Sequence, residues 1–402
     1  MDELIERMPE GYEQACFDTK AIERKREIKN PASLMKLILL YLTGGYSQIE
    51  MSVIAQELGI ANISDVAFLK RFAKCKNWII WIITRIIPKP IIEYEMPKWL
   101  QNYKLVALDA SDVTEKGRSG RLFRLHYAFN IIKMCSLAYK ITSQKVGETL
   151  LNFDIQKDWL ILADRMYGTL TGIEYCLKKG ANFILRLKYN AFKLYDSGGN
   201  EIDILDKMRD ITSAVAKDIE VYVKLSKLGL TRLRICAVKI PDDKLDQVER
   251  RNKRRDSKKQ KATSPEALAM SKYVVIITAL PSIITADEII ALYRFRWQVE
   301  IYFKRLKSIM DFGNVPLKRE DSIYTWLNGK LLVALLIEQM ISEISIPPET
   351  STKRSIWREV QIIYRMIREN VLSLSKLLDH FANISLVLNV EKRQRRRELQ
   401  LA

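Results

Sequence analysis

The chain reads as an α/β protein with helical regions at both ends, and three observations predict it. Over residues 1–100, apolar side chains recur at intervals of three and four, as at Leu34, Leu37, Ile38 and Tyr41, the period of a buried helix face. From residue 101 the pattern changes to short apolar runs, first alone and then alternating with helical segments, the succession of an α/β core. Beyond residue 281 the helical period returns. With 402 residues, 48% of them apolar, the chain has material for two or three domains and a sizeable core.

Within the N-terminal region, residues 48–58, Gly59 and residues 64–74 outline helix, tight turn and helix. Two readings stand: a DNA-contacting module that aims Lys70, Arg71, Lys74 and Lys76 at phosphate, or a helical hairpin with a solvated basic face. Residues 78–87 form an apolar run broken by Thr84 and Arg85, too short for a membrane span and suited to a buried helix. Pro88, Pro90 and Pro97 then mark a boundary.

In the central region, residues 104–108 form an apolar strand ending at Asp109, and residues 159–163 another ending at Asp164. Residues 122–127 and 133–142 read as strands, 170–179 as a helix stopped by Gly180, and 182–187 as a strand. Residues 188–280 read as mostly β, with a turn at 196–200 and a hairpin around Gly229. Residues 250–261 carry eight basic residues and one acid, which suits a solvated loop and equally an arm that grips phosphate.

A capping box at Thr285 and Glu288 opens a helix expected to run unbroken to about Met310. Residues 326–342 form a further apolar helix, Pro347 and Pro348 break the chain, and 355–388 is again helical before a basic tail at 392–397. The organisation expected is a helical region at 1–100, an α/β region at 101–187, a β-rich segment at 188–280, a helical segment at 281–342 and a helical region at 343–402.

Composition narrows the chemistry. The 66 Lys and Arg against 48 Asp and Glu give a net charge of +18, which calls for an anionic partner such as nucleic acid or a membrane surface. The N-terminal residues lack the basic and apolar regions of a signal peptide, so a cytoplasmic protein without a membrane partner is expected, and nucleic acid becomes the better candidate. The five cysteines are scattered without a CxxC pair, and His126 and His380 are far apart. Chemistry then falls to carboxylates, amines, guanidinium groups and hydroxyls, and His126 is read as structural.

Asp109 and Asp164, each at the end of a buried strand, suit either an ordinary turn or a shared metal site. Mg²⁺ fits a site of oxygen ligands. Asp112 competes with Asp109, which is preferred because it directly closes the strand. At 100° per residue, Tyr293, Arg296, Glu300, Lys304 and Lys307 share one polar stripe bordering the apolar face of the helix. This stripe is either a ladder of ion pairs at i, i+4 or a third carboxylate set among phosphate-binding groups.

The spacing of Tyr293, Arg296, Glu300 and Lys307 resembles the Y-(2)-R-(3)-E-(6)-K signature of the IS-four group of DDE transposases from bacterial insertion sequences. The run from Ile161 through Asp164, Arg165 and Tyr167 is similar to that family's second-aspartate motif, with Met166 in place of Gly. The run from Leu105 to Ser111 resembles its first-aspartate motif, with Ala110 in place of Gly. The resemblance covers residues 100–340 well. It implies an RNase H-like catalytic core interrupted by a β-rich insertion, the core in two parts at 101–187 and 281–342 with 188–280 between them, and DNA binding by the region at 1–100. It also implies that Asp109, Asp164 and Glu300 bind two divalent ions, normally Mg²⁺, with Mn²⁺ as a substitute. The implied reaction is metal-dependent hydrolysis of DNA at the element's ends, after which the freed 3′-OH attacks target DNA in cut-and-paste transposition.

Tyr293, Arg296, Lys304 and Lys307 would then contact DNA, Arg165 would reach the scissile phosphate, and Arg186 and Lys188 would bind the backbone. Trp297 would stack on a base or pack locally. The partner is DNA, as transposon end and as target, held by a homodimer, with no small-molecule substrate. Two other readings are a catalytically inactive DNA-binding regulator and an RNase H-like nuclease without strand transfer. Retention of all three carboxylates argues against the first, and the Tyr-Arg-Glu-Lys stripe against the second.

Overall fold

The computed structural model describes residues 1–86, 97–117, 122–212, 215–343, 356–369 and 372–373. The expectations for Pro88 and Pro90, for Pro347 and Pro348, for helix over 374–388 and for the basic tail lie outside the described residues.

Six helices come first: α1 (Asp2–Ile5), α2 (Tyr12–Asp18), α3 (Pro31–Gly44), α4 (Gln48–Glu57), α5 (Asp65–Lys74) and α6 (Lys76–Ile83). Side chains start three of them. Asn30 caps α3, Ser47 and Glu50 form a capping box on α4, and Ser64 caps α5, each bonding backbone N–H groups that have no partner within the helix. Gly59 takes φ +64° in the turn between α4 and α5, a conformation that favours glycine.

The sheet begins with β1 (Lys104–Glu115), β2 (Leu122–Asn130) and β3 (Cys135–Ser143), followed by β4 (Trp159–Ala163), α7 (Leu170–Lys178) and β5 (Asn182–Arg186). The next segment holds β6 (Leu194–Tyr195), β7 (Glu201–Ile202), α8 (Ile204–Met208), β8 (Lys217–Leu225), β9 (Gly229–Lys239), α9 (Asp242–Lys259), α10 (Pro265–Ser271) and β10 (Tyr273–Thr278). Then come α11 (Ala286–Arg294), α12 (Trp297–Ile309), β11 (Asn314–Val315), α13 (Glu320–Glu343) and α14 (Ile356–Arg368).

The strands form one mixed sheet in the order β3-β2-β1-β4-β5-β10-β9-β8-β6-β7, with β11 added beside β1. β1, β4 and β5 run parallel, and β2 and β3 fold back antiparallel on one side. This is the mixed α/β architecture of an RNase H-like fold with helices at both ends. The β-rich segment continues the same sheet, because β10 pairs directly with β5. Two apolar cores lie on its faces, one shared with the N-terminal helices and α11–α14, the other beneath α7 and the inserted strands. α13 packs against α3, α5 and α6, and at Gly329 a Cβ would collide with Leu42 of α3. Among the described residues no helix is long and apolar enough to cross a membrane.

Three sequence expectations are corrected. β1 does not end at Asp109 but continues to Glu115, because β2 pairs with it from Val106 through Thr114 and β11 joins it at Thr114 and Glu115. The helix expected to run unbroken to Met310 is two helices: at the junction the amides of Arg296, Gln298 and Val299 each bond the carbonyl three residues back, a tighter turn than the α-helix. Residues 250–259 are not a loop but the second half of α9. Asp242 and Asp243 at its start and cations toward its end match the helix dipole, and Lys and Arg are good helix formers.

Arg234 of β9 ties the insertion to α11. It is buried, pairs with Asp218, and donates to the carbonyls of Leu280, Pro281 and Ile284 at 2.6–2.9 Å, directly before the Thr285 cap. Arg234→Met is expected to cost about 3 kcal/mol, because it leaves three carbonyls and a carboxylate short of donors. Urea unfolding would measure this, and an unchanged midpoint would show that the clasp contributes nothing.

Candidate active site

Register brings the two aspartates together. The last parallel pair between β1 and β4 is Leu108 with Ala163, so Asp109 and Asp164 are the next residues on adjacent strands. β4 ends there while β1 continues, so beyond residue 108 β1 has no neighbour on that side until β11 joins at Thr114. The gap in the sheet is the cleft that both carboxylates border.

The third carboxylate reaches the site through a guanidinium. Arg296, at the α11–α12 junction, ion-pairs with Glu300 one turn along and lies 3.8 Å from Asp109. α12 is held on the sheet by Tyr302, whose ring stacks on Tyr127 of β2 with centroids 4.7 Å apart. Lys307 donates to the Asp112 carbonyl of β1 at 2.8 Å. Asp112 itself pairs with Arg124 at 2.9 Å, which leaves Asp109 as the aspartate facing Arg296.

The remaining predicted residues divide into two groups. Arg165 lies 3.9 Å from Asp164 and near Arg186, and Tyr293 is buried between Arg296 and the Asp164–Arg186 side. Lys188 follows β5 in the same quarter and is exposed. Trp297 and Lys304 face solvent, and no ion pair joins Lys304 to Glu300 among the described residues. His126 is fully buried, its ring nitrogens held by Thr142 and Asn152, and burial pushes it down to about 4, so it is neutral.

Glu148 and Tyr167 also belong to the site, and neither was assigned a role from sequence. Glu148, in the loop after β3, is half-buried and senses Arg124, Asp112 and Asp164. Tyr167 is fully buried beside Asp109, Glu148 and Asp164. No spacing rule marks Glu148, because only the folded loop carries it there. Tyr167 had a signal in the motif it shares with Asp164.

The donor set suits a hard divalent cation in its chemistry. It is all oxygen, and burial pushes the Asp109 carboxyl up to about 7, against the Ala110 N–H and Arg296, with Glu300 and Glu148 adding to the rise. Such a carboxylate lacks sufficient positive charge around it. Among the described residues, the buried hydroxyl of Tyr167 has no hydrogen-bond partner, the state of a group awaiting a ligand or ordered water. Among the described residues, no three His, Cys, Asp or Glu side chains are gathered closely enough to hold an ion as they stand. Arg296 takes up one face of both Asp109 and Glu300, so closing the set requires Glu300 to leave its guanidinium partner.

The family described as Transposase DDE domain matches residues 101–336. The chain is 26% identical over 352 residues to the Escherichia coli protein named "Putative transposase InsL for insertion sequence element IS186A", covering 85% of this chain and 94% of that one. It is likewise 26% identical over 353 residues to the transposase for insertion sequence element IS421 of Escherichia coli, with the same coverage. To the transposase for insertion sequence element IS231C of Bacillus thuringiensis subsp. berliner it is 22% identical, over 54% of this chain and 51% of that one. Since the family match spans more than half of its residues, the chain belongs to the DDE-domain transposases, a family that goes with divalent-metal dependence.

Proposed function

We propose that this protein is the transposase of a bacterial insertion sequence, cutting DNA at the element's two ends and joining the freed 3′ ends to target DNA. The observation that carries the reading is the register of Asp109 and Asp164 across the gap in the sheet, with Glu300 beside them through Arg296. Asp109, Asp164 and Glu300 would hold divalent metal, Mg²⁺ with Mn²⁺ able to substitute. When bound, a metal pair stabilises the attacking and leaving oxygens of an in-line phosphoryl transfer.

The chain's own groups supply the rest. A scissile phosphate lying across the carboxylates would draw Arg296 from Glu300, exchanging one ion pair for a charge-assisted contact to phosphate. Arg165, Arg186 and Lys188 would grip the backbone on the β5 side, and Tyr293 and Lys307 would steady the cleaved end. Trp297, exposed at the start of α12, is placed to stack on a base, and Lys304 to meet phosphate farther along. The helical region at 1–100 would add contacts through the basic end of α5. Two ends must be held at once, so a homodimer working in the cytoplasm is the expected assembly.

The test is cleavage by the purified protein of DNA carrying the inverted repeats that flank its reading frame. Nicks with 3′-OH termini at those ends, dependent on Mg²⁺, are expected, followed by joining to a target plasmid. Binding without cleavage would favour the regulator, and cleavage without joining the nuclease.

A further inference from the structure

Next to the carboxylates, the insertion encloses a cavity of about 670 Å³ between the end of β5, α9 and α10. Six cations line it: Arg165, Arg186, Lys188, Arg251, Arg255 and Lys261. The acid on its wall is Asp256, already engaged by Thr263 and Arg255. Of the six cations only Arg165 and Arg255 have a carboxylate within ion-pair distance among the described residues, at 3.9 and 3.6 Å. Positive charge is therefore gathered here in excess of the carboxylates that face it, an arrangement that costs free energy unless an anion is bound.

Size selects among anions. A cavity of about 670 Å³ is of the size that holds a drug-sized molecule, so a duplex cannot enter. A single strand can, and Tyr189 and Tyr273, both half-exposed in the wall, offer aromatic faces to unpaired bases. Arg165, on the cavity wall, follows Asp164 in the chain and lies 3.9 Å from its carboxylate, so the cavity adjoins the candidate active site.

We propose that this cavity holds a short unpaired segment of DNA, the strand that leaves the Asp109–Asp164–Glu300 cleft past Arg165. The inference rests on the DNA-cutting reading for its source of unpaired strand. α9 is then one wall of a strand channel. Arg251 of α9 and Lys261 just past its end line the cavity, whereas Arg254 and Lys258 do not.

Fluorescence anisotropy on the full chain without divalent metal tests this, using a labelled short oligothymidine and a duplex of the same length as probes. The R251Q/K261Q variant is expected to bind the oligothymidine about tenfold more weakly, with a salt slope shallower by about 1.4, while duplex affinity stays within about twofold. Y189L is expected to weaken the oligothymidine alone, with no change of charge. R254Q/K258Q, which removes equal charge outside the cavity, is expected to show no such selectivity. Equal losses on both probes, equal losses from the two double variants, or no loss at all would each overturn the proposal. Because no cleavage is measured, absence of end cutting would sink the transposition reading without touching this result. Normal end cutting with unselective binding would sink only the cavity.

Discussion

Asp109→Asn, Asp164→Asn and Glu300→Gln are each expected to lower end cleavage by roughly a thousandfold or more, about 4 kcal/mol of transition-state stabilisation. Binding of the uncut end should stay within a few-fold of wild type. Each substitution keeps the shape of the side chain and removes one negative charge. Asp109 and Asp164 sit in register on adjacent strands, so neither amide disturbs the sheet. Glu300→Gln also weakens the hold on Arg296, so its DNA binding should be the least impaired of the three. Single-turnover cleavage of labelled ends, beside gel-shift affinity, separates the two effects. If any one variant cleaves at near the wild-type rate, that residue is not part of the site.

The second large effect is on stability, with the opposite sign. At pH 8 without divalent metal, Asp109→Asn is expected to be more stable than the wild type. Burial pushes the folded-state carboxyl from its ordinary 3.8 up to about 7. Below about pH 4 both the folded and unfolded chains hold the proton, and the site carries no penalty. Between pH 4 and 7 the unfolded chain releases it while the folded chain keeps it, so stability falls as pH rises. Above pH 7 the folded chain bears the full penalty, on the order of 4 kcal/mol. Asparagine stays neutral and avoids it. Thermal melts at pH 4 and pH 8 are the check: the variant's advantage should appear at pH 8 and vanish at pH 4. Mg²⁺ should raise the wild-type melting temperature at pH 8 and leave the variant nearly unmoved. Equal melting of the two proteins at pH 8 would mean that Asp109 is not held in an electrostatically deficient pocket.

Much of the fold was legible in local pattern. The alternation from residue 101 onward, the capping box at Thr285 and the turn at Gly59 all appear where the sequence predicts them. Each depends on residues within a few positions of one another. The expectations that changed depend on partners far along the chain. Residues 104–115 have no local reason to stop or to continue at Asp109, and β2 decides it by pairing through to Thr114. The helix break at 295–296 leaves Phe295 substantially exposed, although the wheel drawn through an unbroken helix puts it toward the core. Residues 250–261 look too charged to order alone. As the end of α9, residues 250–259 gain from acids earlier in the helix and from Asn252 bonded to Ser271.

The sequence by itself singled out the side chains proposed to carry the chemistry: two aspartates beside apolar strands, and Tyr293, Arg296, Glu300 and Lys307 at fixed spacing. Spacing within one short segment is written in the chain itself, so it survives the loss of all other information. Tertiary structure alone decided which groups meet. Sheet register set Asp109 beside Asp164, a loop with no motif carried Glu148 to them, and the insertion's pairing through β10 turned α9 toward Arg165. Adjacency between segments tens of residues apart follows from strand pairing and burial across the whole chain, and no local pattern encodes it.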